Sequence, residues 1–214
     1  MLGKNIYFER ELGGVIVEYP QLKIKKEDNV LFLKGILDVP DDENNIVGSF
    51  AVEIYSTAGF PYRFPKLFEV GGDIPCENDW HKYSDNSCCL TVPANEILTC
   101  KNGITVLSFI KEHAIPFFAN QLYRKNTGKY LNEYSHGVKG IYEFYVDLFH
   151  SKNFSIWIKC LNVAMGKFKF ERNSPCYCES NIKYKKCHLP VEHKLKIIGI
   201  EQVESDFNII RNFL

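Results

Sequence analysis

Two kinds of hydrophobic pattern divide the chain near its middle, and each predicts a different type of secondary structure. In the first part, apolar and polar positions alternate with a period of two, as they do in half-buried strands. Four segments of this kind predict strands, at residues 21–26, 30–39, 47–55 and 66–70. Short polar stretches at 27–29 and 40–45 separate the first three, and consecutive strands joined by short turns predict an antiparallel meander.

Helical periodicity replaces this alternation after residue 100, where apolar positions recur every three to four residues. It predicts helices at residues 104–123, 138–149, 154–165 and 201–214, and a further helix at 4–18 precedes the strands. Pro116 is expected to kink or interrupt the longest of these helices, and Ser135 is a candidate cap for the helix over 138–149. A run of strands followed by a run of helices predicts the α+β class.

The length of the chain suits one good-sized domain with a small appendage, since it has 214 residues. A mixed polar stretch near 166–174 is the best candidate for a boundary between them. We therefore predict a main domain, a connecting helix with a linker, a cysteine-rich knuckle and a C-terminal helical segment, at residues 1–150, 151–172, 173–190 and 191–214.

Charge and composition narrow the classes of function. The 26 basic and 26 acidic residues balance, which argues against a global field for nucleic acid or membrane. No apolar run approaches the roughly 20 residues that span a bilayer, and charges interrupt the N-terminus where a signal peptide needs an apolar core. We therefore expect a cytoplasmic protein without a membrane partner. Eight closely spaced cysteines then indicate metal and thiol chemistry rather than disulfides.

Four potential metal ligands lie close together near the C-terminus, at Cys176, Cys178, Cys187 and His188. Three thiolates and one imidazole suit a closed tetrahedral site for structural Zn²⁺, because no position stays open for water. The alternative is a set of free thiols. The stretch resembles the SEC-C motif of bacterial proteins, although Glu179 and Asn181 stand where that motif usually has glycines.

The surroundings of this knuckle are basic. Between residues 166 and 196 there are eight basic and three acidic side chains, a net charge of +5 before any metal is counted. Such a patch suits an acidic protein surface or nucleic acid, and a solvated face is the equally weighted alternative. With a neutral chain as a whole, nucleic acid is not the partner that we expect.

A second cysteine-bearing segment follows the fourth predicted strand. Residues 71–90, here called the cysteine loop, are polar and irregular and end in Cys88, Cys89 and Leu90. A strand that carries such a loop can deliver a thiolate nucleophile to the surface. The alternative is that adjacent cysteines are small buried hydrophobic residues. His81 is expected to brace the loop, and Cys76, Cys100 and Cys160 are expected to be unreactive.

The order helix, four-strand meander, cysteine loop and helices resembles that of a ubiquitin-conjugating domain over about residues 1–150. The aromatic and proline-rich segment at 60–68, the Trp80-His81 pair and Cys88-Cys89-Leu90 carry the resemblance, as does Ser135-His136-Gly137 before an aromatic helix. The bacterial members of the family are the most similar. This chain departs from the family where a His-Pro-Asn element is usual, because Lys82 and Tyr83 follow His81.

The resemblance implies a ubiquitin-conjugating-like fold and an acyl thioester on Cys89, with Leu90 favouring Cys89 over Cys88. An attacking lysine must be neutral, and Asp85 and His136 are the candidate bases for that step. The alternative interpretation is that Asp85 is an ordinary turn residue and that His136 is a loop or cap residue. Asn86 or a backbone N–H is the candidate donor to the oxyanion, since the family's asparagine is missing.

The resemblance also implies partners. Stand-alone bacterial relatives join the C-terminus of a cGAS-like nucleotidyltransferase to target-protein lysines in antiviral defence, and others use a ubiquitin-like protein with a separate activating enzyme. We expect the nucleotidyltransferase as the preferred partner. Two alternatives remain open: a thiol hydrolase with a Cys89–His136 dyad that removes such a modifier, and a binding module of the same fold without catalysis.

Overall fold

The computed structural model describes residues 4–131 and 134–214 and divides into two compact units. The first unit takes in the described residues up to Thr91 and those from Thr99 to Leu131. The second consists of Val92–Leu98 and Tyr134–Leu214. The second unit therefore includes the helix over 138–149, which the sequence-based division assigned to a domain of residues 1–150.

The first unit opens with a helix and a four-stranded antiparallel sheet in the strand order β1-β2-β3-β4. Their bounds are α1 Ile6–Glu18, β1 Leu22–Glu27, β2 Val30–Pro40, β3 Ile46–Tyr55 and β4 Lys66–Glu69. Consecutive strands pair with each other throughout. The predicted α+β class and the predicted meander are thus confirmed.

Side chains from α1, from the sheet and from the helical segment after residue 105 form the core of the first unit. The alternating pattern of β3 buries Phe50, Val52 and Ile54 and leaves the residues between them partly exposed. Asn5 fixes the start of α1, because its side-chain oxygen accepts hydrogen bonds from the backbone of the first turn. Its amide also donates to the carbonyl of Phe60 at 2.9 Å, which ties the helix to the segment before β4.

A nearly continuous helical segment completes the first unit. It consists of α3 Val106–Phe109, a π turn at Ile110–Ala114 and α4 Ile115–Thr127. A shorter helix, α2 Pro93–Thr99, precedes it in the chain and belongs to the second unit up to Leu98. Thr105 and Ser108 form a capping box at the start of α3. Pro116 lies in the first turn of α4, directly after the π turn. The expected irregularity at the proline is therefore a wide turn, since proline lacks the N–H that would continue the ladder.

The second unit is built from helices around an aromatic core. Its helices besides α2 are α5 Val138–Phe149, α6 Phe154–Ala164, α7 Leu189–Ile198 and α8 Ile200–Phe213. Trp157, Tyr145 and Phe207 are buried together, with ring centroids 5.0–6.0 Å apart. The hydroxyl of Tyr145 donates to Asp206 at 2.9 Å, which satisfies both polar groups inside the core.

The start of α5 corrects one prediction from the sequence. Gly137, not Ser135, occupies the N-cap position of this helix. The backbone N–H and the hydroxyl of Ser135 instead both donate to the carboxylate of Glu143, one turn into the helix.

The helix over 189–198 was also not predicted by itself. Among the described residues, no helix combines the length and the apolar character that crossing a bilayer requires.

Candidate functional site

The cysteine loop is pinned to β4 at its end. After β4 the chain makes a 3₁₀ turn at Asn78–Trp80, and His81 then adopts a left-handed conformation with φ 52°. The backbone N–H of Cys88 donates to the carbonyl of Leu67 at 2.8 Å, and that of Cys89 donates to the carbonyl of His81 at 2.7 Å. The two cysteines therefore lie between the strand and the bend at His81.

The two adjacent cysteines have different surroundings. Cys88 is buried in the core of the first unit, and burial raises the pKa of its thiol to about 12. At neutral pH it is a protonated, poorly accessible thiol and hence a weak nucleophile. Cys89 is only partly buried, and its Sγ lies 3.9 Å from the carbonyl oxygen of Thr91. Of the pair, Cys89 has the exposure that a nucleophile requires.

His81 lies closer to Cys89 than the sequence indicated. One of its ring nitrogens and the Sγ of Cys89 lie within 4.8 Å of each other. Its ring is buried and meets the ring of Tyr130 edge-on, with centroids 4.6 Å apart. An imidazole at this distance can exchange a proton with the thiol after a small movement. The bracing role expected from the sequence is compatible with a chemical role, because the backbone carbonyl of His81 holds Cys89 while one of its ring nitrogens lies within 4.8 Å of the sulfur.

Helix α4 and the segment after it hold the middle of the cysteine loop. The guanidinium of Arg124 lies 4.1 Å from the ring centroid of Trp80 and 4.8 Å from that of Tyr130. The hydroxyl of Tyr130 donates to the carbonyl of Asp79 at 3.1 Å, and the amide of Gln121 donates to the carbonyl of Trp80 at 3.3 Å. Side chains distant in sequence thus fix the chain immediately before His81.

Asp85 lies in the turn between His81 and the cysteines. Its carboxylate accepts hydrogen bonds from Lys66 at 2.5 Å and from the hydroxyl of Ser87 at 2.5 Å. The bond from Lys66 is the main cause that lowers the pKa of Asp85 to about 2. A carboxylate of such low pKa is a weak proton acceptor at neutral pH. Asn86 follows with φ 66°, and its backbone N–H donates to the carbonyl of Tyr83 at 2.8 Å.

His136 belongs to the second unit, in the bend that leads into α5. Its neighbour Ser135 is held by Glu143, as described above, and the backbone there approaches α5 closely. A Cβ at Gly140 would lie 1.8 Å from the carbonyl oxygen of Ser135, so only glycine fits that position. The partnership between His136 and Cys89 stays a prediction, as does the role of Asp85 as a base.

The knuckle brings the four predicted ligands together. The donor atoms of Cys176, Cys178, Cys187 and His188 all lie within 4.8 Å of one another. The Nδ1 atom of His188 lies 3.3 Å from the Sγ of Cys176 and 3.2 Å from that of Cys187. The sulfurs of Cys178 and Cys187 are 3.5 Å apart.

These distances fit a tetrahedral zinc site. Bonds of about 2.3 Å to sulfur and about 2.0–2.1 Å to nitrogen would separate two ligand sulfurs by about 3.8 Å and a sulfur from a nitrogen by about 3.6 Å. The three donor–donor distances given above are within about 0.4 Å of those separations. Burial also lowers the pKa of His188, which favours the neutral imidazole that metal binding needs.

Polar and aromatic contacts attach the knuckle to the helices of the second unit. The hydroxyls of Tyr177 and Tyr184 both donate to the carboxylate of Glu192 on α7, and this carboxylate is buried. Burial raises the pKa of Glu192, and the two hydroxyls oppose that effect. Val163 on α6 packs against Cys176 and Tyr184. The sequence did not indicate Glu192, because an acidic residue on a predicted helix is expected on the solvent side.

Comparison with known families gives one local match. The SEC-C motif matches residues 172–190, which contain all four donors of the knuckle. Neither the curated proteins nor the solved structures contain a match to the chain. The SEC-C motif binds zinc, and the clustered donors are consistent with a metal site. The predicted SEC-C segment is therefore confirmed.

Proposed function

We propose that the chain is a ubiquitin-conjugating-like acyl transferase that carries a protein C-terminus as a thioester on Cys89 and transfers it to lysine. The single observation that carries the proposal is the contrast within the cysteine pair. Cys88 is buried with a raised pKa, whereas Cys89 is partly exposed and lies beside His81. The order of α1, the meander, the cysteine loop and the later helices supports a ubiquitin-conjugating-like fold for the first unit.

The proposed chemistry has two acyl transfers. In the first, the thiolate of Cys89 attacks the carbonyl carbon of an acyl donor activated elsewhere, a C–S bond forms, and the bond to the activating group breaks. The thiol proton passes to a base, for which the ring of His81 is a candidate, since one of its nitrogens lies within 4.8 Å of the Sγ of Cys89. In the second, a neutral lysine amine attacks the thioester, an amide forms, and the electron pair of the broken C–S bond returns to sulfur. The surplus proton of the amine leaves through a base, and Asp85 and His136 remain the candidates.

The partners follow from the resemblance of the sequence to bacterial conjugating proteins. We propose the C-terminus of a cGAS-like nucleotidyltransferase as the acyl group, with a ubiquitin-like protein as the second possibility, and target-protein lysines as acceptors. Antiviral defence is the biological role that this pairing supports.

The knuckle would serve a structural role in this enzyme. The Sγ atoms of Cys176, Cys178 and Cys187 and the Nδ1 of His188 would hold Zn²⁺ with four protein ligands. A metal with four protein ligands offers no position to substrate or water, so it supplies folding energy and no catalysis.

A trapping experiment tests the proposed function. The Cys89→Lys variant, expressed with its neighbouring genes, should accumulate an adduct in which the new lysine amine forms a stable amide with a partner's C-terminal residue. Cys76→Lys is the matched control, since Cys76 is an exposed cysteine of the same loop. Mass spectrometry should find the branched peptide at position 89 alone. Absence of any branched peptide at that position, in a folded protein with its partner present, would contradict the proposal.

Thiol hydrolysis is the second candidate, and one observation favours it. A thiol and an imidazole within 4.8 Å also suit a hydrolase that removes an acyl modifier. Release of a free partner C-terminus, without any lysine adduct in wild-type cells, would select this alternative. If cellular activity and adducts both survive in Cys89→Ala, the chain is a binding module of the same fold.

A further inference from the structure

A lysine of the cysteine loop and a glutamate of β4 are fully buried together. Lys82 and Glu69 are each 1% exposed. The ammonium of Lys82 lies 3.4 Å from the carboxylate of Glu69 and donates to the carbonyl oxygen of the same residue at 3.1 Å. The carboxylate also accepts the backbone N–H groups of Asp73 and Ile74, at 3.2 and 3.3 Å. Lys82 follows His81 directly, at the point where the chain departs from the His-Pro-Asn element.

Stability alone does not account for such a pair. Lysine and glutamate are among the residues that are rarely fully buried. Removing both charges from water costs about as much as their attraction returns, and apolar side chains of similar volume often serve equally well. A buried ion pair that touches a reactive loop therefore suggests a requirement for position, because its geometry is narrowly defined by charge and by several hydrogen bonds.

The contacts of the pair show what it holds in place. Glu69 is the last residue of β4, and its side chain anchors the first turn of the cysteine loop through Asp73 and Ile74. Lys82 forms an isolated antiparallel bridge with Cys88 near the end of that loop. The beginning and the end of the loop thus meet at one buried contact. His81 is the neighbour of Lys82, and Cys89 is the neighbour of Cys88. The hydrogen bond from the N–H of Cys89 to the carbonyl of His81 is therefore adjacent to the bridge.

We propose that Lys82 and Glu69 form a positioning pair that fixes Cys89 against His81. The pair acts through the backbone and does not itself contact a reacting atom. This inference rests on the proposed function in that Cys89 is taken as the reactive thiol. It makes no use of the acyl partner. The positioning role can therefore fail while the proposed function holds, and the proposed function can fail while the positioning role holds.

The test compares two ways of removing the pair with a matched surface control. Lys82→Met leaves Glu69 buried and alone, whereas Lys82→Met with Glu69→Leu replaces both charges by apolar groups of similar volume. Lys34→Met is the control, because Lys34 forms an exposed ion pair with Glu53 on the same sheet, with 2.7 Å between the charged atoms. Iodoacetamide labelling of Cys89 and of the exposed Cys76 in the same molecule gives the readout, together with hydrogen exchange at the N–H of Cys89.

The double variant should keep the wild-type unfolding midpoint while the labelling rate of Cys89 relative to Cys76 changes by at least about tenfold. Exchange at the N–H of Cys89 should accelerate, and exchange within β2 and β3 should stay as in the wild type. Lys34→Met should alter neither readout. A folded double variant in which labelling and exchange at Cys89 match the wild type would overturn the proposal.

A conservative variant provides the rescue and protects the test against misfolding. Glu69→Gln keeps an acceptor for Lys82 and removes the charge, so it should retain a Cys89 labelling rate within about threefold of the wild type. In Glu69→Leu alone, the labelling rate of Cys89 relative to Cys76 should change by at least about tenfold, as in the double variant. If the double variant fails to fold, equal labelling in Glu69→Gln and Glu69→Leu would reject the positioning role by itself.

Discussion

Cysteines lie close together at two places in this chain, and the two places differ in what holds the sulfurs. In the knuckle, four donors within 4.8 Å come from a short stretch of sequence and fit a metal ion. In the cysteine loop, one partly exposed thiol is placed by hydrogen bonds and packing from β4, His81 and α4. A metal can organise a site from ligands that are close in sequence, whereas the position of a single thiol depends on elements that the fold brings together.

The difference extends to how each site should fail. Loss of one ligand removes the metal and with it most of the energy that folds the knuckle. Loss of a neighbour in the cysteine loop should leave the sheet folded and change only the reactivity of one thiol.

Substitution of a metal ligand should have the largest effect. Cys187→Ser should reduce zinc from about one equivalent to nearly none, since the binding energy of structural zinc sites is about 10–16 kcal/mol. Elemental analysis and hydrogen exchange over residues 174–188 measure the loss. Cys76→Ser is the matched control, because Cys76 is exposed and lies outside the knuckle. Undiminished zinc in Cys187→Ser would refute the metal site.

Thiol labelling should separate the cysteines of the zinc-loaded protein. Burial raises the pKa of both Cys88 and Cys160 to about 12, so about one molecule in 10⁵ holds either thiolate at pH 7. Residue-resolved alkylation should label Cys89 at least about a hundredfold faster than these two. Cys76 should be labelled at a similarly high rate, because it is exposed, and its expected lack of reactivity is then wrong. Labelling of Cys88 in the folded protein at the rate of Cys89 would remove the distinction.

Two glycines in helices should respond in opposite directions to alanine. Gly140→Ala places a Cβ against the carbonyl of Ser135, so it should destabilise the second unit by about 1–3 kcal/mol. Gly13→Ala in α1 meets nothing within 4 Å and should stabilise by about 0.5–1 kcal/mol. Urea unfolding measures both. Equal stabilisation by the two substitutions would mean that the segment carrying His136 is not packed as described.

Removal of the partner of Asp85 should have the smallest effect. Lys66 keeps the pKa of this carboxyl at about 2, below its ordinary 3.8, so the pairing stabilises the fold above pH 3.8 and its contribution is lost as the pH falls to about 2. Lys66→Met should raise that pKa towards 3.8 and cost less than about 1 kcal/mol, because the pair is half-exposed. A carboxyl-resolved NMR titration measures it, with Lys34→Met as control. An unchanged titration of Asp85 would exclude the ion pair.

The sequence predicted what is local and missed what is tertiary. The donors of the knuckle are close in sequence, and the alternation that gave the meander follows from the geometry of strands. His81 was predicted to brace the loop, and no sequence pattern indicated that one of its ring nitrogens lies within 4.8 Å of the Sγ of Cys89. No sequence pattern indicated that Lys82 is buried, and only the fold brings it to Glu69. Ser135 was predicted as a cap from its residue type, but Glu143 binds it and Gly137 takes that position.

The thioester itself is the most direct test of the central claim that Cys89 carries the acyl group. Wild-type protein, recovered under acid conditions with its partner present, should contain an adduct that hydroxylamine releases and that peptide mapping assigns to Cys89. Cys88→Ala should retain this adduct if it folds, and Cys89→Ala should lack it. A hydroxylamine-sensitive adduct that persists in Cys89→Ala, or that maps to Cys88, would contradict the account.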